Sequence, residues 1–276
     1  MALSNLSAQR PFGATSRTDT WWTQPLLVFL GFSAFIVYST WAAFNPSFNG
    51  SCAYWFHGNG ADYVSPFFSP EIFGSSPHAL FGPKPGWWPG WLAFSPAFLV
   101  LWVPAGFRFT CYYYRGAYYK SFWADPISCA VGEPRKQYLG ERFFPLIIQN
   151  IHRYFFYLAV IFVFLLAYDA WLAMWFTDAS SKAHFGLGVG TLVLILNPIF
   201  LGLYTFGCHS FRHLVGGFLD AKSKAPTCAK AYNCVSCLNT RHMLWAWVSL
   251  FWVGFTDVYV RLCAMGKIHD IILFPF

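Results

Sequence analysis

Long apolar runs, nearly free of charge, recur along the chain at 25–44, 91–107, 147–176, 184–211 and 243–263. No Asp, Glu, Lys or Arg stands between Lys182 and Arg212. At about 1.5 Å of rise per residue, such a run spans the roughly 30 Å hydrocarbon layer of a bilayer. Backbone groups inside lipid find no water, so each run is predicted to be a helix. The third and fifth runs carry one acid each, Asp169 and Asp257, both near the same side of the membrane. An acid inside a span is functional by default, but Asp257 precedes Arg261 by four residues, the spacing of a structural ion pair on one helix face. The predicted fold class is all-α: an integral membrane protein with five transmembrane helices.

Composition agrees with this pattern. Only 11% of the 276 residues are charged, whereas 57% are hydrophobic and 22% aromatic; soluble domains carry about 25% charged residues. A soluble enzyme, a disordered segment and a cytosolic nucleic-acid binder are thereby excluded, so the expected environment is a lipid bilayer and no nucleic acid is expected as a partner. The net charge of +7 is unevenly placed. Arg10 and Arg17 precede the first span. Arg108, Arg115, Lys120, Arg135, Lys136, Arg142 and Arg153 surround the connection between the second and third, and Arg212, Lys222, Lys224, Lys230 and Arg241 the one between the fourth and fifth. The alternate connections hold only Lys84, Lys182, Arg261 and Lys267. The positive-inside rule then predicts a multi-pass plasma-membrane protein with its N-terminus cytoplasmic and its C-terminus outside. The polar stretch before the first span lacks the form of a cleaved signal, so that span is expected to remain as an anchor. The connection at 45–90, with its Pro85-Gly-Trp-Trp-Pro-Gly-Trp91, is expected to form a flap on the outer surface, since Trp favours the headgroup region.

The last four spans read as an internal repeat of two helical hairpins. The second span ends Phe107-Arg-Phe-Thr-Cys111-Tyr-Tyr-Tyr-Arg115 and is followed by Cys129; the fourth ends Tyr204-Thr-Phe-Gly-Cys208-His-Ser-Phe-Arg212 and is followed by Cys228. The returning spans open alike, with Gln149-Asn150-Ile-His152-Arg153 and Leu238-Asn239-Thr-Arg241-His242. This divides the chain into a cytoplasmic tail (1–24), a first helix and outer loop (25–90), repeat 1 (91–177), repeat 2 (178–266) and an outer tail (267–276). Repeats of helical pairs in membranes tend to share a site at their junction.

The repeat places Cys111, His152, Cys208 and His242 near one cytoplasmic level. Thiolates suit zinc or iron–sulfur clusters, and imidazoles suit iron, zinc or haem. Structural zinc is one outcome. A Rieske-type [2Fe–2S] centre is another, because it takes two Cys on one iron and two His on the other, one of each per half. Cys129 and Cys228, also matched between the halves, are the substitute ligands. Arg115 and Arg212, four residues beyond each Cys, either offset thiolate charge or anchor the inner boundary. His209 and His213 share a helix face and are candidates for haem ligation or for lining a quinone pocket, together with Tyr118, Tyr119 and Trp123. The Cys234-Val-Ser-Cys237 motif is a secondary metal or redox candidate. Cys52 and Cys263 are close enough in topology for an outer disulfide.

Two stretches carry a family resemblance. Ile151-His152-Arg153 before an apolar span, and Ser210-Phe-Arg-His213-Leu-Val-Gly-Gly217, are similar to segments of complex II membrane anchors. The runs Cys111-Tyr-Tyr-Tyr-Arg-Gly-Ala-Tyr-Tyr-Lys120 and Cys208-His-Ser-Phe-Arg-His213 resemble the single-polypeptide anchor of the actinobacterial type of succinate dehydrogenase, from Trp91 to Gly266. Tyr154 and Phe155 stand where conventional anchors carry Thr-Gly, so their haem and quinone positions are not transferred. The resemblance implies a subunit that binds a flavoprotein subunit and an iron–sulfur subunit on its cytoplasmic face, lacks the usual haem, and uses a membrane-embedded Rieske-type cluster to reduce quinone, either menaquinone or ubiquinone. Succinate oxidation itself then belongs to the partners. The competing expectation is a five-helix b-type cytochrome oxidising quinol, with haem b on His152, His209, His213 or His242. A non-redox membrane scaffold or transporter is a third.

Overall fold

The computed structural model describes residues 11–134, 142–144, 146–178, 180–217 and 225–274. Of the basic residues used for orientation, Arg10, Arg135, Lys136, Lys222 and Lys224 lie outside them. The chain is mostly helical. Helix α1 (Thr23–Phe44) is followed by short strands β1 (Ser47–Phe48), β2 (Ser51–Cys52), β3 (Trp55–Gly58) and β4 (Ala61–Val64). Then come α2 (Ala97–Val100), α3 (Trp102–Thr110), α4 (Tyr112–Phe122), a 3-10 turn (Leu146–Ile151) and α5 (His152–Leu172). Strands β5 (Trp175–Thr177), β6 (Ala183–Phe185) and β7 (Leu187–Gly188) precede α6 (Val189–Phe206), α7 (His209–Gly216), α8 (Pro226–Thr240), α9 (His242–Ala264) and β8 (Ile272–Phe274).

Among the described residues, four helical segments are long and apolar enough to cross a membrane: Thr23–Phe44, Ile147–Leu172, Val189–Phe206 and His242–Ala264. The run expected as a second span, 91–107, becomes helical only from Ala97. Helices α2 and α3 meet at Leu101, whose φ of −65° and ψ of −22° are themselves helical, so the two form a stretch of about 21 Å. Pro85, Pro89 and Pro96 explain the late start, because each lacks the amide that a helix interior needs. The expected third and fourth spans are trimmed where they face each other. Residues 175–177 and 183–185 pair as an antiparallel hairpin instead, Phe176 opposite His184.

The chain forms two compact units. The first comprises Met1–Ile36 and Arg108–His152. Within it Phe29 packs on Phe122 with ring centroids 4.9 Å apart, and Phe32 on Tyr114 at 5.0 Å. Gly13 and Ala14 exchange backbone hydrogen bonds with Gly132, and Arg17 donates to Ser128 Oγ at 2.6 Å.

The second unit comprises Val37–Phe107 and Arg153–Phe276. Helices α6 and α9 pack side by side, and the indole of Trp252 donates to the Val193 carbonyl at 3.1 Å. A core of Ala61, Tyr63, Ala170, Ala173, Phe176, Leu194 and Val260 joins β4 and β5 to the ends of three helices. The 45–90 connection is thus not a flap throughout. Much of its first part is folded into the unit, with Tyr54, Tyr63, Phe67, Phe68 and Glu71 buried, whereas Phe48, Leu80, Phe81 and Trp87 are exposed, as is Trp91 just beyond it. Tyr54 donates to Glu71 at 2.6 Å, and Tyr63 and Tyr259 both donate to the buried Asp270 at 2.7 Å. These are interior polar pairs, which burial requires.

Asp257 forms the expected ion pair. Arg261 Nε lies 2.8 Å from its Oδ2, with both side chains buried. Tyr38 and Ser65 also donate to Asp257, and Arg261 reaches the carbonyls of Asn45 and Ala42 at 2.6 and 2.7 Å. Asp169 accepts from Ser69. Cys52 and Cys263 are free thiols, so the outer disulfide is not formed.

Candidate functional site

Both cysteines singled out by sequence sit at a break between two helices. In the first unit, α3 stops at Thr110 and α4 begins at Tyr112. Cys111 between them is the N-cap of α4, with extended backbone at φ −62° and ψ 132°. In the second unit, α6 gives way to α7, and Cys208 is the N-cap of α7 at φ −75° and ψ 154°. An N-cap side chain faces the unpaired amides of the first turn. The Cys208 sulfur accepts from the Phe211 amide at 3.3 Å. Both thiols are buried, Cys111 at 3% exposure and Cys208 at 1%, whereas Cys129, Cys228, Cys234 and Cys237 are exposed.

Each histidine is held by its own unit. His152 opens α5, is 7% exposed, and its Nδ1 lies 2.9 Å from Thr110 Oγ1, on the residue before Cys111. Engagement of Nδ1 by the hydroxyl orients the ring and leaves Nε2 for coordination. His242 opens α9 and stacks on Tyr204, with centroids 4.9 Å apart and planes 17° from parallel. Asn239 Nδ2 donates 2.8 Å to the carbonyl of Gly207, the residue before Cys208. A side-chain hydrogen bond thus ties the helix break to the start of α5 in the first unit and to the last turn of α8, just before α9, in the second. Gly207 is needed there, since a Cβ would stand 2.7 Å from the Leu203 carbonyl oxygen. Sequence reading did not assign Thr110, Tyr204 or Asn239 these roles; their signal was adjacency to the matched Cys and His positions.

The arginines are spent on neighbours. Arg108 donates to Tyr114 Oη at 2.6 Å, Arg115 hydrogen-bonds Gln149, and Arg212 donates to Tyr232 Oη at 2.8 Å while lying over that ring. Tyr118, Tyr119 and Trp123 come together, with centroid separations of 4.9, 5.7 and 5.3 Å, and Tyr118 also stacks on Phe109. His209 and His213 come together as well, their Nε2 atoms 2.9 Å apart. Opposite axial ligands of one haem would stand roughly twice a metal–nitrogen bond apart, about 4 Å, so this pair does not flank a single haem. Among the described residues, no group of three or more His, Cys, Asp or Glu is gathered tightly enough to mark a metal site. What bears on a mixed Cys/His centre is therefore the donor chemistry within each unit. Two buried thiols at helix N-termini and two oriented imidazoles suit it, because N-terminal amides favour thiolate and a hydrogen-bonded imidazole is a better ligand.

No curated protein matches the sequence. Among solved structures the chain is similar to one from the Mycobacterium smegmatis Sdh1 complex in the apo form, at 44% identity over 99% of this chain and 98% of that one, with a TM-score of 0.85. The family model described as the actinobacterial succinate dehydrogenase subunit SdhC matches residues 23–266, and the chain belongs to that family.

Proposed function

We propose that this membrane subunit of succinate dehydrogenase docks the flavoprotein and iron–sulfur subunits on its basic, cytoplasmic side and delivers their electrons to a membrane quinone. In this reading the two helical pairs after α1 are pseudo-repeats, α2 and α3 together complete a fifth crossing, and the N-terminus is cytoplasmic with the C-terminus outside. Cys111, His152, Cys208 and His242 are the proposed ligands of a Rieske-type [2Fe–2S] cluster. The observation that carries this is the burial of Cys111 and Cys208 at equivalent helix breaks, each tied by a hydrogen bond to the turn where the returning helix starts. The exposed Cys129 and Cys228 are weaker choices on the same ground.

When bound, such a cluster supplies one-electron transfer at a potential raised by its histidine ligands above that of all-cysteine centres. The chain's own residues prepare for it. Thr110 holds His152 by Nδ1, Tyr204 fixes the ring plane of His242, and the first-turn amide of Phe211 points at the Cys208 sulfur. In this reading the clustered rings of Tyr118, Tyr119 and Trp123 are the aromatic platform for a quinone ring, and His209 and His213 pass the protons that quinone reduction consumes. Replacing His152 and His242 by Ala in the assembled complex should abolish succinate-to-quinone electron transfer while succinate oxidation by a soluble dye persists. Unchanged quinone reduction would refute the ligand assignment.

A further inference from the structure

Outside the four buried side chains, one cluster of metal-ligating groups has geometry of its own. His209 and His213 stand one turn apart on α7. Both are exposed, with rings 4.4 Å apart and nearly perpendicular at 82°. Their Nε2 atoms are 2.9 Å apart. With metal–nitrogen bonds of about 2.0–2.1 Å, two ligands at a right angle lie about 2.9 Å apart, and two at a tetrahedral angle about 3.3–3.4 Å. The observed separation therefore matches the bite of a chelate with cis imidazoles. The neighbouring Arg212 guanidinium disfavours positive charge at His209, but it is turned to Tyr232, donating to its hydroxyl and lying 5.1 Å from its ring centroid. We propose that His209 and His213 form a surface chelate for a divalent late transition-metal ion, with water completing the coordination. Imidazole nitrogen at a right-angle bite favours Cu(II) and Ni(II), and Zn(II) binds after opening the pair by about half an ångström. A bound ion cross-links successive turns of the eight-residue α7 that begins next to Cys208. This site does not depend on the identity of the buried centre, but a bound ion would occupy the two Nε2 atoms that the proposed function assigns to proton delivery.

The bland competitor is an N–H···N hydrogen bond between two neutral imidazoles, which has the same separation. Metal titration separates the two. The whole complex, purified without a polyhistidine tag and with accessible thiols alkylated, is titrated in its oxidised form with Cu(II) and read by EPR. The first equivalent per chain is expected to give a tetragonal signal with superhyperfine coupling to two imidazole nitrogens. In H209A and H213A that first site should weaken by roughly tenfold or more, since a single imidazole loses the chelate advantage. Equilibrium dialysis with Zn(II) and elemental analysis should show the same loss of one ion per chain. A first-bound Cu(II) with one nitrogen or none, or one unaltered in both variants, overturns the proposal. The wild-type spectrum decides by itself if a variant fails to assemble.

Discussion

Thr110→Val replaces the hydroxyl that meets His152 Nδ1 by a methyl of nearly the same volume. Thr110 is 2% exposed and His152 7%, so no water replaces the lost partner. Leaving a buried polar atom unsatisfied costs about 1–3 kcal/mol. If His152 is also a ligand, loss of its outer-shell partner weakens metal retention by roughly 10–100-fold. Two readouts follow from one substitution. The purified complex should unfold at lower temperature, and it should release iron faster to a chelator than the wild type does. Serine at 110, which retains the hydroxyl, should restore iron retention while giving up only a methyl group of packing. Equal iron release from the Val variant and the wild type, despite a lowered melting temperature, would mean that Thr110 supports α5 and not a ligand.

Other outcomes test the frame around this site. Asp257→Leu strands the Arg261 guanidinium among buried groups and should destabilise the subunit by about 3–5 kcal/mol, seen as a lower thermal midpoint. A Cβ at Gly106 would collide with the ring of Phe155, so Gly106→Ala should cost about 1–3 kcal/mol by the same assay and Gly106→Leu should prevent assembly. His78 Nε2 lies 3.0 Å from Asp62 Oδ1, and this hydrogen bond raises the imidazole above its ordinary value of 6.5. The stabilisation is fully present below the ordinary value and lost as pH rises through the raised one. His78→Ala should therefore lower the melting temperature near pH 6 and leave it unchanged in the alkaline range; an equal drop at both would contradict the pairing.

What the sequence revealed and what it hid have physical causes. A charge-free run as long as 189–206, and an apolar run such as 243–263 whose two charges pair with each other, are long and apolar enough to cross a membrane, and the ion pair Asp257–Arg261 follows from a four-residue spacing. Similar stretches around Cys111 and Cys208 drew attention to these cysteines and to His152 and His242, and the structure adds that Cys111 and Cys208 are buried at helix breaks. The run at 91–107 shows high hydropathy throughout but is helical only from Ala97, where Pro96 is the N-cap. Strands of two to four residues, such as β3 and β4, carry too few alternations to show a period, so the folded start of the 45–90 segment read as a surface flap. Thr110 was hidden because a threonine at the end of an apolar helix looks like any other until its hydroxyl is seen against a ring nitrogen.

The central claim is a nitrogen-ligated iron–sulfur centre in this subunit, and the most direct test is pulsed EPR on the reduced complex assembled with 15N-labelled histidine. The account predicts a [2Fe–2S] signal coupled to two histidine nitrogens, which disappears when Cys111 and Cys208 are changed to Ser while the partner subunits' signals remain. A reduced complex with no nitrogen-coupled [2Fe–2S] signal, or with the optical band of a bis-histidine haem in its place, would contradict it.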